Sequence, residues 1–263
     1  MSCAQMPAET AADITEDAVL GGRLRLRQLS QGHRIGHDAI LLAAACPLHA
    51  GERAAELGAG VGAAGLALAR RVEESHVTLV EIDARLATLA AENATLNGLS
   101  TRVDVVNVDV TGDARALASA GLRRHSFMRV LMNPPFNDPA RQRTSPDSRR
   151  RLAHAGARGT LTAWVQAAAQ LLRPSGTLSL MWRADRLEEV LQSLQGHFGA
   201  TTLLPIHPKP GQPAIRLLVR ATRGSRTPLC LLPGFVLADE AGCASSAAEA
   251  VLRQGALLAL AQV

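Results

Sequence analysis

The chain has 263 residues, of which 47% are hydrophobic and 19% charged. This balance is typical of one globular domain and excludes a disordered or fibrous protein. No segment approaches the roughly 20 consecutive apolar residues that span a bilayer, and the N-terminal region is acidic where a secretory signal would be basic. We therefore expect a cytoplasmic protein that does not associate with membranes.

The remaining composition bears on metals and partners. The four cysteines are scattered without a C-x-x-C motif, which predicts neither a disulfide framework nor a zinc site. His33 and His37 are four residues apart, as a helical metal pair would be, but no third ligand is apparent and we predict no metal. The net charge of +5, carried mostly by arginine, suits a phosphate-bearing partner. The same charge also occurs in arginine-rich proteins that bind no nucleic acid.

Short apolar strands alternate with helices rich in alanine and leucine along most of the chain. This alternation predicts an α/β fold with a Rossmann-like, doubly wound, seven-stranded and mostly parallel sheet. The predicted helices lie at 37–46, 63–71, 84–96, 161–172, 186–195 and 246–261. The predicted strands lie at 53–57, 77–81, 103–107, 128–132, 177–182, 201–206, 214–220 and 229–237. We divide the chain into an N-terminal arm (1–28), the main domain (29–228) and a strand and helix packed on that domain (229–263).

A glycine-rich turn follows the first strand of this domain. Glu56 and Leu57 lead into Gly58, Gly60 and Gly62, and such a turn lets a ligand approach the backbone closely. The next strand ends in Glu81, a carboxylate placed to bind the two hydroxyls of a ribose. The third strand runs into Asp109, whose carboxylate is placed to accept a hydrogen bond from an adenine amino group. These residues predict a nucleotide-like ligand at the carboxyl edge of the sheet.

The glycines alone leave the ligand open, because the run from Gly60 also matches the G-x-G-x-x-G pattern of dinucleotide-binding proteins. A pyrophosphate would be repelled by Glu56, whereas the cationic amine and sulfonium of S-adenosyl-L-methionine would be attracted. We therefore favour S-adenosyl-L-methionine as the cofactor and keep an NAD-dependent oxidoreductase as the remoter alternative.

The fourth strand runs directly into Asn133-Pro134-Pro135-Phe136, in which two consecutive prolines make a rigid turn. The side-chain oxygen of Asn133 and the carbonyl of Pro134 provide two acceptors for the protons of an amino group. Phe136 would stack on a flat conjugated acceptor and hold it in plane. These four residues are the predicted catalytic group of a methyltransferase that modifies such an amino nitrogen.

At these residues the chain resembles the class I methyltransferases, and among them the amino-group N-methyltransferases with an N-P-P-[FY] signature. Over residues 29–221 it is most similar to bacterial tRNA adenine-N6-methyltransferases that modify the adenosine beside the anticodon of a valine tRNA. The segment from Gln31 to Leu42, the spacing to Asn133 and the lack of a separate RNA-binding domain carry this resemblance. It implies methylation of adenine N6 in tRNA.

The resemblance also implies roles for individual residues. Gly58, Gly60 and Gly62 would line the cofactor, Glu81 would hold its ribose, and Ile82 would flank its adenine. Asp109 and Val110 would contact the adenine edge, and Asn133, Pro134 and Phe136 would bind the substrate amine. Arg34 and Asp38 would belong to a segment that closes over the methionine end of the cofactor.

The acceptor is the open point, because the same signature occurs in enzymes that modify ribosomal RNA, DNA or protein glutamine. A small-molecule acceptor, including one methylated on oxygen, also stays possible. An arginine-rich loop beside the signature favours RNA, and its members are candidate phosphate contacts: Arg141, Arg143, Arg149, Arg150 and Arg151. Further basic residues would extend this patch if they share its face: Lys209, Arg216, Arg220, Arg223 and Arg226.

Overall fold

A computed structural model describes residues 14–31, 34–135 and 157–262. Its first element is an antiparallel hairpin of β1 (Ile14–Val19) and β2 (Leu24–Leu29). Residues 14–29 at the end of the N-terminal arm therefore form a folded hairpin, which the sequence analysis did not predict. Leu24 and Leu26 are fully buried while the arginines between them are exposed, which is the period-two alternation of a half-buried strand.

A nine-stranded sheet forms the centre of the molecule. Its strand order is β10-β8-β9-β7-β6-β3-β4-β5, with β11 also paired to β8. The bounds are β3 Arg53–Leu57, β4 His76–Glu81, β5 Val103–Asn107, β6 Phe127–Met132, β7 Leu172–Arg183, β8 Phe198–His207, β9 Arg216–Arg223, β10 Cys230–Leu231 and β11 Phe235–Val236. Only β9 runs antiparallel to its neighbours in this sheet. Without the two-residue strands β10 and β11, this is the predicted seven-stranded, mostly parallel sheet.

Helices cover both faces of the sheet and bury two separate apolar cores. Neighbouring residues of β6 show the division, because Leu131 packs into one core and Val130 and Met132 into the other. The described helices are α1 His37–Ala45, α2 Ala63–Arg71, α3 Ala84–Leu96, α4 Ala114–Ser119, α5 Ala157–Leu171, α6 Leu187–Leu194 and α7 Ser246–Leu252. Helices α1, α2, α3 and α7 contribute to the first core, and α4, α5 and α6 to the second. None of the helices in the described ranges is long and apolar enough to cross a membrane.

The C-terminal elements are shorter than predicted. The strand expected at 229–237 is interrupted at Pro233, which cannot donate a backbone hydrogen bond, and only β10 and β11 remain paired. The helix expected at 246–261 ends at Leu252, a few residues before Gly255, whose φ of +73° is left-handed. A single 3-10 turn follows at Ala259–Ala261.

The first parallel strand, β3, lies in the middle of the sheet with β4 on one side and β6 on the other. Chain order reverses between β3 and β6, and in open α/β sheets ligands bind in the crevice beyond the carboxyl ends of the strands at such a reversal. The glycine turn follows β3, and Asn133 follows β6. The topology therefore places the two predicted motifs side by side.

Candidate active site

The glycine turn connects β3 to α2 through three left-handed residues. Gly58, Gly60 and Gly62 have φ values of +68°, +57° and +88°, a region that side chains with a Cβ rarely occupy. A Cβ on Gly58 would lie 2.4 Å from the Trp164 ring, and one on Gly62 would lie 2.8 Å from Leu79. Gly60 differs, because no described atom lies within 4 Å of its Cβ position. Two of the glycines are thus needed for packing, and the third leaves open space beside the turn.

Glu81, at the end of β4, holds the turn from the adjacent strand. Its Oε2 accepts a hydrogen bond from Gly60 N at 2.7 Å, and its Oε1 accepts one from Asp83 N at 2.9 Å. A carboxylate offers about four acceptor positions, so these bonds leave capacity for two hydroxyls. The neighbouring Ile82 side chain is 63% exposed, which is unusual for isoleucine and leaves an apolar surface for a flat group.

Asn107 is a site residue that the sequence analysis missed. Its Nδ2 donates to the carbonyl oxygens of Glu81 at 2.8 Å and Ile82 at 2.9 Å, which fixes the backbone that presents both side chains. Its place at the carboxyl end of β5, next to the end of β4, was the available signal. Two residues on, Asp109 is exposed and its Oδ1 accepts from the backbone and hydroxyl of Thr111, each at 2.8 Å.

Glu56 lies under the turn rather than at its open side. The side chain is buried, and its Oε2 accepts a hydrogen bond from Gly65 N, in the first turns of α2, at 2.6 Å. Burial raises the pKa of this carboxyl to about 8, an effect that the Gly65 hydrogen bond only partly opposes. At pH 7 the Glu56 side chain is therefore mostly neutral and does not supply the negative charge expected to attract a cationic cofactor. Its contact in the structure is with helix α2.

Asn133 lies directly beyond β6. Leu57 of β3 is paired with Met132 of β6, so the next residues of these parallel strands are Gly58 and Asn133. The Oδ1 atom of Asn133 is buried, and no described residue donates a hydrogen bond to it. Pro134 is buried and Pro135 is exposed, while Phe136 lies outside the described residues. A buried acceptor without a donor is uncommon in folded proteins and points to a partner from outside the described residues.

Arg34 and Asp38, predicted near the methionine end of a cofactor, both form ion pairs with other elements. Arg34 is exposed and its guanidinium lies 2.9 Å from Asp17 of β1. Asp38, in the first turn of α1, is paired with Arg216 of β9 at 2.9 Å. These contacts tie the start of α1 to the hairpin and to the sheet.

The predicted phosphate contacts have different outcomes. The arginine-rich loop at 141–151 lies outside the described residues, as does His33. Arg220 is wrong as a surface contact, because its side chain is buried and donates to the Leu260 carbonyl at 2.7 Å. Lys209 donates to the Glu240 carbonyl at 3.2 Å. In the described ranges, no group of three His, Cys, Asp or Glu side chains could hold a metal ion.

Known proteins with similar sequences and structures agree on the kind of enzyme. A model of the methyltransferase small domain family matches residues 32–209. A tRNA1(Val) (adenine(37)-N6)-methyltransferase from Bacteroides fragilis (strain YCH46) is 32% identical over 193 residues, which are 72% of this chain and 77% of that protein.

Two solved structures extend this comparison. One from Agrobacterium tumefaciens, called a predicted O-methyltransferase, has 31% sequence identity and a TM-score of 0.69, and the match covers 84% of this chain and 98% of that chain. M. jannaschii TYW2 in complex with AdoMet matches with a TM-score of 0.55 over 83% of this chain and 89% of that chain, and its 13% identity supports the fold alone.

These matches leave no place for the NAD-dependent alternative, and the cofactor of this methyltransferase is S-adenosyl-L-methionine. The chain therefore belongs to the methyltransferase small domain family, and it is an S-adenosyl-L-methionine-dependent methyltransferase with a Rossmann-like fold.

Proposed function

We propose that this enzyme transfers a methyl group from S-adenosyl-L-methionine to the N6 nitrogen of an adenine in tRNA. The observation that carries the proposal is the buried Asn133 Oδ1, an acceptor without a donor among the described residues, directly beside the glycine turn. An exocyclic amino group supplies the hydrogen-bond donor that this atom lacks. A hydroxyl acceptor offers a single proton, whereas an amino group offers two.

The residues around the turn fit the cofactor. Gly60 leaves open space at the turn, and the Glu81 carboxylate has acceptor positions left for the two ribose hydroxyls. The exposed Ile82 offers an apolar surface to the adenine ring, and Asp109 follows the adjacent strand. When bound, S-adenosyl-L-methionine supplies a methyl carbon whose bond to sulfur breaks as its bond to N6 forms, and S-adenosylhomocysteine remains.

The protein's own contribution to the chemistry is to position the acceptor nitrogen. The lone pair of an adenine amino group is shared with the ring, which makes the nitrogen a poor nucleophile. Acceptors at Asn133 Oδ1 and the Pro134 carbonyl, gripping its two protons, favour a pyramidal nitrogen whose lone pair can face the methyl carbon. Pro134 and Pro135 hold these acceptors rigidly. The methylated nitrogen then releases one proton to water, so a dedicated base is not essential.

Three features support tRNA as the acceptor. The similar Bacteroides fragilis protein is named as a tRNA methyltransferase, and the present chain covers 77% of it. The net charge of +5 favours a polyanion. We further propose that the arginine-rich loop, Arg141, Arg143, Arg149, Arg150 and Arg151, contacts phosphates beside the acceptor site.

The deciding experiment is methyl transfer from labelled S-adenosyl-L-methionine to total tRNA from a strain that lacks this protein, followed by nucleoside analysis. We expect label in N6-methyladenosine. Label in a 2′-O-methylated nucleoside would instead favour oxygen chemistry, the activity in the name of the Agrobacterium tumefaciens protein. If tRNA takes up no label while S-adenosylhomocysteine still binds, the acceptor proposal is wrong. Ribosomal RNA, protein glutamine and small molecules would then be the acceptors to assay.

A further inference from the structure

The amino edge of the central sheet, opposite the candidate active site, carries a concentration of basic side chains. They come from three separate parts of the sequence, and all are exposed except the half-buried Arg223. We call this set the amino-edge cluster; its members are Arg123, Arg124, His125, Arg173, Arg223 and Arg226.

Hydrogen bonds hold these segments together. The His125 backbone N–H donates to the Gln170 carbonyl at 3.0 Å, which places the segment before β6 against the end of α5. The guanidinium of Arg223, at the end of β9, lies 3.0 Å from His125 Nε2 and also donates to the Leu172 carbonyl. The cluster is therefore built into the start of β6 and β7 and the end of β9.

The positive charge of the cluster is not balanced locally. Residues 114–137, 157–184 and 190–238, which supply the cluster and the strands around it, contain no aspartate or glutamate. Glu52, one strand away before β3, is already paired with the buried Arg129 at 2.9 Å. Among the described residues, no carboxylate forms an ion pair with any of the cluster arginines.

The charges also act on one another. Desolvation, followed by the positive charges of Arg223 and Arg124, lowers the pKa of His125. Concentrated like charges destabilise the folded state by mutual repulsion, so an unbalanced basic surface indicates a partner that offsets the cost. Guanidinium groups bind phosphates through paired hydrogen bonds, which makes a phosphate backbone the partner of matching chemistry.

Position decides which phosphates the cluster can reach. It lies at the start of β6, and Asn133 follows the end of this six-residue strand. At about 3.3 Å per residue the separation is roughly 20 Å. This distance is too great for the phosphates of the nucleotide held at Asn133 and too great for a small acceptor molecule to span.

We infer that the amino-edge cluster binds the phosphate backbone of the substrate RNA, at a segment remote from the methylated base. The inference rests on the proposed function for the identity of the RNA. It assigns to the cluster the affinity for the body of the molecule, and it leaves the choice of the base to the opposite edge of the sheet.

The test compares two triple variants with the same change in net charge. The cluster variant carries Arg123→Gln, Arg173→Gln and Arg226→Gln. The control carries Arg25→Gln, Arg27→Gln and Arg253→Gln, which are exposed arginines on β2 of the hairpin and directly after α7. For each protein we would measure the Kd for unmodified tRNA from 50 to 200 mM salt, the methyl-transfer KM and kcat, and the affinity for S-adenosylhomocysteine.

We expect the cluster variant to bind tRNA roughly 10- to 100-fold more weakly near 150 mM salt, with the slope of log Kd against log salt reduced by about two. Its KM for tRNA should rise while kcat and S-adenosylhomocysteine affinity stay within twofold, and the control should resemble the wild-type protein. Equal losses in both variants, or none in the cluster variant, would overturn the inference even if tRNA is methylated.

The same measurements separate the two proposals. If tRNA binds through the cluster but gains no methyl group, the proposed function fails and the inference stands. If the wild-type protein binds no RNA, and the cluster instead retains vesicles of anionic phospholipid, the inference is wrong.

Discussion

Single residues of the site differ in how far the sequence revealed them. The three glycines were recognisable because a strand-to-helix turn requires left-handed residues, and all three have positive φ. The different roles of these glycines were not recognisable, because only the packing shows Trp164 beneath Gly58 and open space beside Gly60. Glu56 illustrates the same limit, since its position in the sequence gives no indication that the carboxylate turns inward to Gly65.

Replacement of Asn133 tests the acceptor role of its side chain. For Asn133→Ala we expect kcat to fall by about 100- to 1000-fold, because one fixed dipole that holds the acceptor nitrogen is lost. The affinity for S-adenosylhomocysteine should change less than twofold. Asn133→Asp is the matched control, because it retains an acceptor oxygen and should keep more activity than the alanine variant. Calorimetric binding and single-turnover methylation check both expectations, and equal turnover of the alanine variant and the wild-type enzyme would falsify the mechanism.

The buried Glu56 carboxyl gives a pH-dependent stability. Its pKa is raised from 4.5 to about 8 in the folded protein, so the folded state holds a proton that the unfolded state releases above pH 4.5. This contribution to stability is fully present below pH 4.5 and is lost as the pH rises towards 8. Glu56→Gln keeps the shape and removes the titration. Relative to the wild-type protein, its free energy of unfolding should rise by a few kcal/mol between pH 5 and 8, measured by urea denaturation at each pH.

The opposite trend, or a pH-independent difference between the two proteins, would show that Glu56 is not held protonated in the folded state.

Among the elements, the central β-α-β segments were predictable, and the periphery was not. Strand β3 and helices α2 and α3 have the predicted bounds, because each combines a clear apolar period with a defined end. The start of α3 is one such end, since the Asp83 side chain accepts a hydrogen bond from Arg85 N at 2.8 Å. Helix α4 was missed although Asp113 caps it at 2.7 Å, because six residues are too few to establish a helical period. The N-terminal hairpin was missed because the polar residues before it obscured the strict alternation in β2.

The hairpin depends on α3, because the side chain of Asn93 and that of Asn97, just after the helix, form hydrogen bonds with the backbone of the hairpin. Asn93 is fully buried; its Oδ1 accepts from Arg27 N at 2.7 Å, and its Nδ2 donates to the carbonyl oxygens of Arg27 and Val61. For Asn93→Ala we expect a loss of about 2–4 kcal/mol, because buried backbone groups lose their partners. Amides of residues 14–29 should exchange faster with solvent. Thr95→Ala, an exposed change on the same helix, should cost less than about 0.5 kcal/mol.

Uniform protection of the hairpin amides in both variants would mean that another contact anchors it.

At the scale of the whole molecule, the strand order brings together residues that are far apart in the sequence. The parallel strands bring the glycine turn, Glu81, Asp109 and Asn133 to one edge, and this convergence was predictable because carboxyl ends of parallel strands share an edge. The amino-edge cluster was not predictable in the same way. The cluster forms because the antiparallel strand β9 brings Arg223 beside the start of β7. There Arg223 meets His125, about a hundred residues away in the sequence. No local sequence pattern predicts how β9 pairs.

The same topology predicts how cofactor binding should stabilise the folded protein. At about 100 times its Kd, S-adenosylhomocysteine should add about 2.7 kcal/mol, which for a chain of this size raises Tm by roughly 5–10 °C. Gly60→Ala should lower stability by about 1–2 kcal/mol through its left-handed backbone and abolish this rise, because the new methyl group enters the space beside the turn. Gly51→Ala is the control, since Gly51 also has a positive φ of +77° and no described atom within 4 Å of its Cβ position. Gly51 lies before β3, at the opposite edge of the sheet.

Both variants should lose similar stability without ligand, and only the Gly51 variant should recover it with S-adenosylhomocysteine. A full ligand-induced rise in the Gly60 variant would place the cofactor elsewhere, because no other difference between these two glycines predicts a different response to the ligand.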